Sequence, residues 1–175
     1  MPEPSIRIPT GSDVERIKQI AVAAGMFSPE EAGFIDDMLA GFFDGSLAGH
    51  RWVVVDDTSG RASAAAHYAP EPFADRVWNL YFIAVAPDKQ GHGLGCSLIH
   101  HLERELTARG DDVARVLIVE TSATDQYAAT RTFYRNRGYR EEARIRQFYG
   151  PADDKIVFWK SLVEDTGSPP GRSSW

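Results

Sequence analysis

Nine consecutive residues, Val77–Val85 (VWNLYFIAV), carry no charge and are aromatic or β-branched almost throughout. A run of this kind predicts a strand near the centre of a sheet, covered on both faces. It leads directly into Ala86–Cys96 (APDKQGHGLGC), where three glycines stand at alternate positions. Cys96–Arg109 (CSLIHHLERELTAR) follows, with Leu98, Ile99, Leu102 and Leu106 on one helical face and Gly110 past its end. Arg115–Val119 (RVLIV) then reads as a second buried strand. A strand–turn–helix–strand unit crosses over right-handed and leaves its two strands parallel. The rest of the chain must therefore be built around one mixed sheet.

The remaining segments supply the other layers. Ser5–Pro9 reads as a short strand, and Val14–Ala24 as a helix with Val14, Ile17, Ile20 and Ala21 at helical spacing. Ser28-Pro29-Glu30-Glu31 has the chemistry of a helix start: serine at the cap, proline at the first turn and acids near the positive dipole end. The stripe Phe34, Ile35, Met38, Leu39, Phe42 continues it. Arg51–Val55 and Arg61–Tyr68 form a hairpin around Asp57-Thr58-Ser59-Gly60. After the crossover, Asp125 opens a helix through Tyr127–Arg137 that Gly138 closes, and strands around Ala143–Phe148 and Ile156–Lys160 finish the order.

Composition narrows the partners. At 175 residues the chain suits one domain, taken as residues 1–164, with the Gly-, Pro- and Ser-rich tail 165–175 expected to be disordered. No apolar run is long enough to span a bilayer, the N-terminus lacks the basic-then-apolar pattern of a secretory leader, and a single cysteine makes no internal disulfide. A cytoplasmic location is the expectation. Residues 1–60 hold ten acids against four bases, whereas the remaining residues balance at fifteen of each sign. An acidic N-terminal third speaks against nucleic acid and mildly for a cationic partner. No Cys, His and acid cluster has metal-ligand spacing, so no metal is expected.

The glycine turn has the chemistry of a phosphate site: successive backbone N–H groups can close around an anion, and the following helix adds its positive end. Two registers fail. A dinucleotide fingerprint needs glycine at the sixth position, which is Cys96 counted from Gly91 and Leu98 counted from Gly93. A nucleoside-triphosphate loop needs a Gly-Lys pair, and the chain has none. Gln90-Gly91-His92-Gly93-Leu94-Gly95 instead fits [Q/R]-x-x-G-x-[G/A]. With Thr130–Tyr139 (TRTFYRNRGY) about forty residues on, and the terminal stretch Tyr149–Lys160, it resembles the GNAT acetyltransferase superfamily. The resemblance spans roughly Arg51–Leu162 in motif and order; the N-terminal helices match only in layout.

That resemblance implies an α/β fold of the α+β type. Its mixed, mostly antiparallel sheet has about six to seven strands and about four helices, with a splayed central parallel strand pair. It implies acetyl-CoA as co-substrate, held by Gln90, Gly91, His92, Gly93, Leu94, Gly95 and Cys96 and by the strand backbone at Ile83, Ala84 and Val85. A backbone N–H near Val85 would face the developing oxyanion. Tyr134, four residues before Gly138, falls at the general-acid tyrosine, with Phe133 as the packing neighbour. A thiol leaves with a pKa of about 8.5 and a phenol holds its proton to about 10, so a tyrosine can stay protonated until the sulfur departs.

Many members carry a glutamate on the central strand as base, but Trp78–Val85 has no acid. Glu120, at the end of the next strand, is the first candidate, with His67 and Tyr81 behind it; a surface carboxylate capping the following loop is the plain alternative. Phe27, Glu30 and Glu31 lie where the acceptor side falls, although an ordinary helix cap would use the same residues. The expected activity is direct acetyl transfer to a primary amine, in a small molecule, peptide or protein, within a ternary complex. Neither nucleic acid nor membrane is expected as a partner, and a homodimer is left open. Without a strand glutamate, a non-catalytic acyl-CoA sensor is the alternative.

Overall fold

The computed structural model describes residues 5–163; the predicted tail lies outside them. Seven strands form one sheet in the order β1-β2-β3-β4-β5-β7-β6. They are β1 (Ile6–Arg7), β2 (Arg51–Asp56), β3 (Ala62–Pro70), β4 (Val77–Val85), β5 (Val116–Ser122), β6 (Arg140–Gly150) and β7 (Asp153–Ser161). All pairings are antiparallel except β4 with β5. The uncharged run Val77–Val85 is therefore the middle strand, as its composition predicts.

Four helices cover the sheet. Two of them, α1 (Val14–Ala23) and α2 (Gly33–Phe43), bury Ile17, Ile20, Ile35 and Leu39 against Trp52, Val54, Ala65 and Phe82. On the opposite face α3 (Leu94–Ala108) and α4 (Ala128–Arg135) enclose Leu98, Leu102, Leu106 and Tyr134 against Val53, Tyr68, Trp78, Leu117 and Phe158. At the predicted start of α2 the Ser28–Glu31 exchange is present: Ser28 N donates to Glu31 Oε2 at 2.9 Å and Glu31 N to Ser28 Oγ at 3.3 Å. The α-helix itself begins only at Gly33, because these contacts close a preceding turn.

A single extra residue decides the shape of the middle strand. Along β3 and β4, His67 pairs with Phe82 but Tyr68 pairs with Leu80, so Tyr81 is a bulge. The strand turns over there. Trp78 and Leu80 point to the α3 side, whereas beyond the bulge Phe82 and Ala84 join the α1–α2 core. Parallel pairing with β5 stops at the same place, running from Val77↔Val116 only to Leu80↔Val119. From Glu120 onward β5 stays with β7, through Glu120↔Val157 and Ser122↔Lys155. The two central strands thus splay beyond Leu80 and Val119.

Candidate active site

The splay opens a cleft of about 950 Å³, within the size range of small-molecule sites. Its walls come from both splayed strands, the glycine turn, the α1–α2 junction, α4 and the β6–β7 turn.

At one end lies the glycine turn. Gly91 and Gly93 have φ of +77° and +83°, a left-handed backbone that suits glycine, and a Cβ at either would meet nothing within 4 Å. Gly93 caps α3 without any side-chain hydrogen bond, so the donors of the first turn are free of a protein cap. Gly95 serves packing instead. Its Cα faces the Phe133 ring, 3.4 Å from where a Cβ would stand, which seats α3 against α4. Gln90 Nε2 donates to Val85 O at 3.2 Å and braces the turn on β4. Gln90, Gly91, Gly93, Leu94, Gly95 and Cys96 all line the cleft. His92 does not; its exposed ring is hydrogen-bonded to Gln90 O at 2.9 Å. The residue between two positive-φ glycines is turned away from the concave side.

The strand residues divide by alternation. Ala86 N donates to Ser63 O at 2.9 Å, so Ala86 faces β3 and, in antiparallel pairing, Ala84 does too. Ile83 and Val85 then direct their N–H and C=O groups to the side that β5 has vacated, and the Gln90 bond to Val85 O comes from that side. Ala84 lines the cleft, but its backbone is committed to the neighbouring strand.

At the other end stand the candidate catalytic groups. Tyr134 and Glu120 both line the cleft. Tyr134 is 1% exposed, wedged among Phe133, Tyr139 and Phe158 at centroid distances of 5.3, 5.5 and 5.6 Å. It is more deeply buried than Phe133, the reverse of the division expected from the sequence, because its ring is the one packed against Tyr139 and against Phe158 of β7. Burial pushes its phenol up, with Arg137 pulling the other way, so it is protonated at neutral pH. Among the described residues its hydroxyl has no hydrogen-bond partner. Glu120 Oε2 accepts from Lys155 Nζ at 2.8 Å, and that ammonium sits 3.5 Å from the centre of the Phe148 ring.

The two reserve bases fall away. Tyr81 lines the cleft, but its hydroxyl donates to Glu71 Oε1 at 2.8 Å. Burial and the charges of Glu71 and Glu120 push that phenol up, which makes it a poor proton acceptor. His67 is buried away from the cleft, stacked on Trp52 at 4.6 Å, with Nε2 2.9 Å from His50 Nδ1. Burial, aided by His50, holds His67 down at about 3. Its unfolded counterpart titrates near about 6.5, so between these values the unfolded chain takes up a proton that the folded one refuses. Stability is therefore lost as pH falls below about 6.5. Thermal unfolding at pH values from about 7.5 to about 5 should show Tm falling, and His67→Phe should flatten that slope; an equal slope in both proteins removes His67 as its source.

At the α1–α2 junction Met26, Phe27 and Glu31 line the cleft, with Phe27 stacked 6.4 Å from Phe82. Glu30 does not; it is exposed on the turn before α2. Tyr127, Tyr149, Asp153 and Arg137 also line the cleft; the last three fall within the motif stretches, but none of the four is marked there as a site residue. Tyr149 and Asp153 arrive there because β7 inserts between β5 and β6, bringing the hairpin tip beside Glu120. Tyr127 OH donates to Gly25 O at 3.3 Å and ties the start of α4 to the α1–α2 junction. Arg137 stands just before the Gly138–Tyr139 pair of the motif, and only its charge at that helix end could have drawn notice.

Known proteins share this fold. Residues 48–141 match the family described as Acetyltransferase (GNAT) domain. A solved structure of a GNAT-family protein from Desulfovibrio desulfuricans superposes with a TM-score of 0.82 at 30% identity, covering 91% of this chain and 99% of that one. A Salmonella typhimurium protein solved with its cofactor acetyl-CoA shares the fold, with a TM-score of 0.74 at 21% identity over 98% of this chain and 99% of that one. The [ribosomal protein bS18]-alanine N-acetyltransferase of Escherichia coli K12 is 41% identical over 75 residues, 43% of this chain; the match spans about half, 47%, of that relative's length. With the match covering the glycine turn, the splayed pair and the Tyr134 helix together, the chain belongs to the GNAT acetyltransferase family.

Proposed function

We propose that the protein transfers an acetyl group from acetyl-CoA directly to a primary amine. One observation carries this reading: a single cleft joins an open, uncapped helix start behind two left-handed glycines to a buried tyrosine and a carboxylate across splayed strands. The residues present fit the co-substrate. The glycine turn and the first turn of α3 offer N–H donors and a positive dipole end to its pyrophosphate. The outward-facing backbone of Ile83 and Val85 can pair with the pantetheine amides. Acetyl-CoA supplies the activated acyl group; the chain supplies orientation, an N–H donor on β4 for the oxyanion, and proton movement.

Glu120 is the group that takes the proton from the acceptor ammonium, with Lys155 holding its carboxylate in place. Tyr134 donates its proton to the departing sulfur. The aromatic wall of Phe27 and Phe82, together with Glu31, receives the rest of the acceptor. The kinship with a ribosomal-protein alanine acetyltransferase makes a peptide N-terminus a natural member of the acceptor panel. A cytoplasmic location is in keeping with this role, and no helix among the described residues is long and apolar enough to cross a membrane.

Thiol release from acetyl-CoA, measured across a panel of diamines, amino sugars and N-terminal peptides, tests the reading. Turnover with at least one amine is expected; coenzyme binding without release across the panel would favour the sensor. Glu120→Gln should lower kcat about a hundredfold near neutrality. That deficit should shrink as pH rises toward the amine pKa of about 10.4, where the acceptor loses its proton unaided. A deficit independent of pH would remove Glu120 from the base role.

A further inference from the structure

Two cations line the cleft among the described residues, Lys89 and Arg137, and they differ in their surroundings. Lys89 has a carboxylate beside it, Asp88, at 3.6 Å. Arg137 has none. Its Nη1 donates to Phe133 O at 2.9 Å, its Cζ lies 3.6 Å from the centre of the Phe133 ring, and its Nη2 points at the sulfur of Cys96. A thiol is a weak acceptor for a guanidinium that could hold a bidentate anion.

The position raises the electrostatic cost of a cation with no carboxylate beside it. Cys96 is the third residue of α3, whose cap Gly93 contributes no side-chain acceptor, so Arg137 is held at the positive end of a helix with open N–H donors. A cation there is electrostatically unfavourable unless an anion lies between. The placement is also well supported from behind. Lys160 Nζ donates to Arg137 O at 2.9 Å and to Glu103 at 2.9 and 3.0 Å, and Glu103 also accepts from Tyr139 OH at 2.7 Å. A network of this kind fixes the end of α4 and presents the guanidinium with little freedom left to lose.

We infer that Arg137 is a phosphate ligand for the acyl-CoA, pairing with a phosphate group across the first turn of α3 and making the site selective for phosphorylated donors over pantetheine thioesters. This rests on the acyl-CoA reading of the cleft. The aromatic face of Phe133 covers one side of the guanidinium and partly desolvates it, which strengthens a charge-assisted pair.

Calorimetric titration of CoA, 3′-dephospho-CoA and pantetheine into the wild type, Arg137→Leu and Arg137→Lys tests the inference. Arg137→Leu should bind CoA about tenfold or more weakly, with Arg137→Lys between the two and pantetheine affinity the same in all three proteins. A penalty that persists with 3′-dephospho-CoA assigns the pyrophosphate; one that vanishes with it assigns the 3′-phosphate. Unliganded Arg137→Leu should unfold at the wild-type temperature or above, because a cation has left the positive helix end. Equal weakening for all three ligands, or no weakening for CoA, overturns the assignment and leaves Arg137 a packing residue. Should the leucine variant not fold, the lysine variant and the loss of wild-type CoA affinity with added salt give the same decision. Failure of the wild type to bind CoA at all would instead overturn the acyl-CoA reading, and shows before any variant is made.

Discussion

Tyr134→Phe is expected to lower kcat about a hundredfold or more while leaving affinity for acetyl-CoA unchanged. The structure makes this a clean substitution. The Tyr134 ring is packed by Phe133, Tyr139 and Phe158, and phenylalanine preserves all three contacts. Its hydroxyl bonds to no described residue, so its removal strands no buried partner. Stability should therefore hold, and a change in turnover reports chemistry. The phenol, raised by burial, remains protonated through the neutral range and can act only as a donor. Single-turnover kinetics and equilibrium binding of acetyl-CoA decide the matter. Equal loss of both quantities, or loss of neither, would remove Tyr134 from the acid role.

The second large effect belongs to Gly93→Asp, which should abolish CoA binding with little loss of fold. Gly93 has φ of +83° at the cap of α3. An L-residue there costs about 1–2 kcal/mol of backbone strain, but aspartate tolerates this region better than most and is a good helix cap. The two effects oppose each other, so Tm should move little. The introduced carboxylate would occupy the N–H donors meant for the pyrophosphate and repel it as well. Gly93→Ala is the informative companion. It carries the strain without the charge, so Tm should fall while CoA binding stays measurable. Wild-type affinity in the aspartate variant would show that the phosphates lie elsewhere.

Much of this site is legible along the chain because its parts are local. An uncharged, aromatic and β-branched run reads as a buried strand, and β4 begins and ends at the predicted residues. Alternate glycines before a helical stripe read as an anion turn, and Gly91 and Gly93 have the left-handed backbone that such a turn requires. The start of α2 misleads for an equally local reason: serine, proline and two acids satisfy a cap whether the next turn is α-helical or not. His92 reads like its neighbours because a motif does not show which way a side chain leaves the loop.

Depth and direction are harder to read. Phe133 and Tyr134 are adjacent aromatics, and helical geometry requires only that they diverge; β7 and Tyr139 determine which of them is buried. The acid-free strand leaves three candidate bases, and only burial and hydrogen bonding separate them. Glu71 takes the Tyr81 hydroxyl, His50 takes His67, and Glu120 stays on the cleft.

VWNLYFIAV and APDKQGHGLGC specify a central strand and a left-handed glycine turn that opens a helix, through backbone and side-chain preferences that act within a few residues. The cleft between them has no such local origin. It exists because one extra residue at Tyr81 turns β4 over, because β5 leaves β4 after Val119 to remain with β7, and because the β6–β7 hairpin carries Tyr149 and Asp153 to the opening. Those are choices of register between strands distant in sequence, set by which pairings bury both faces of the sheet at once.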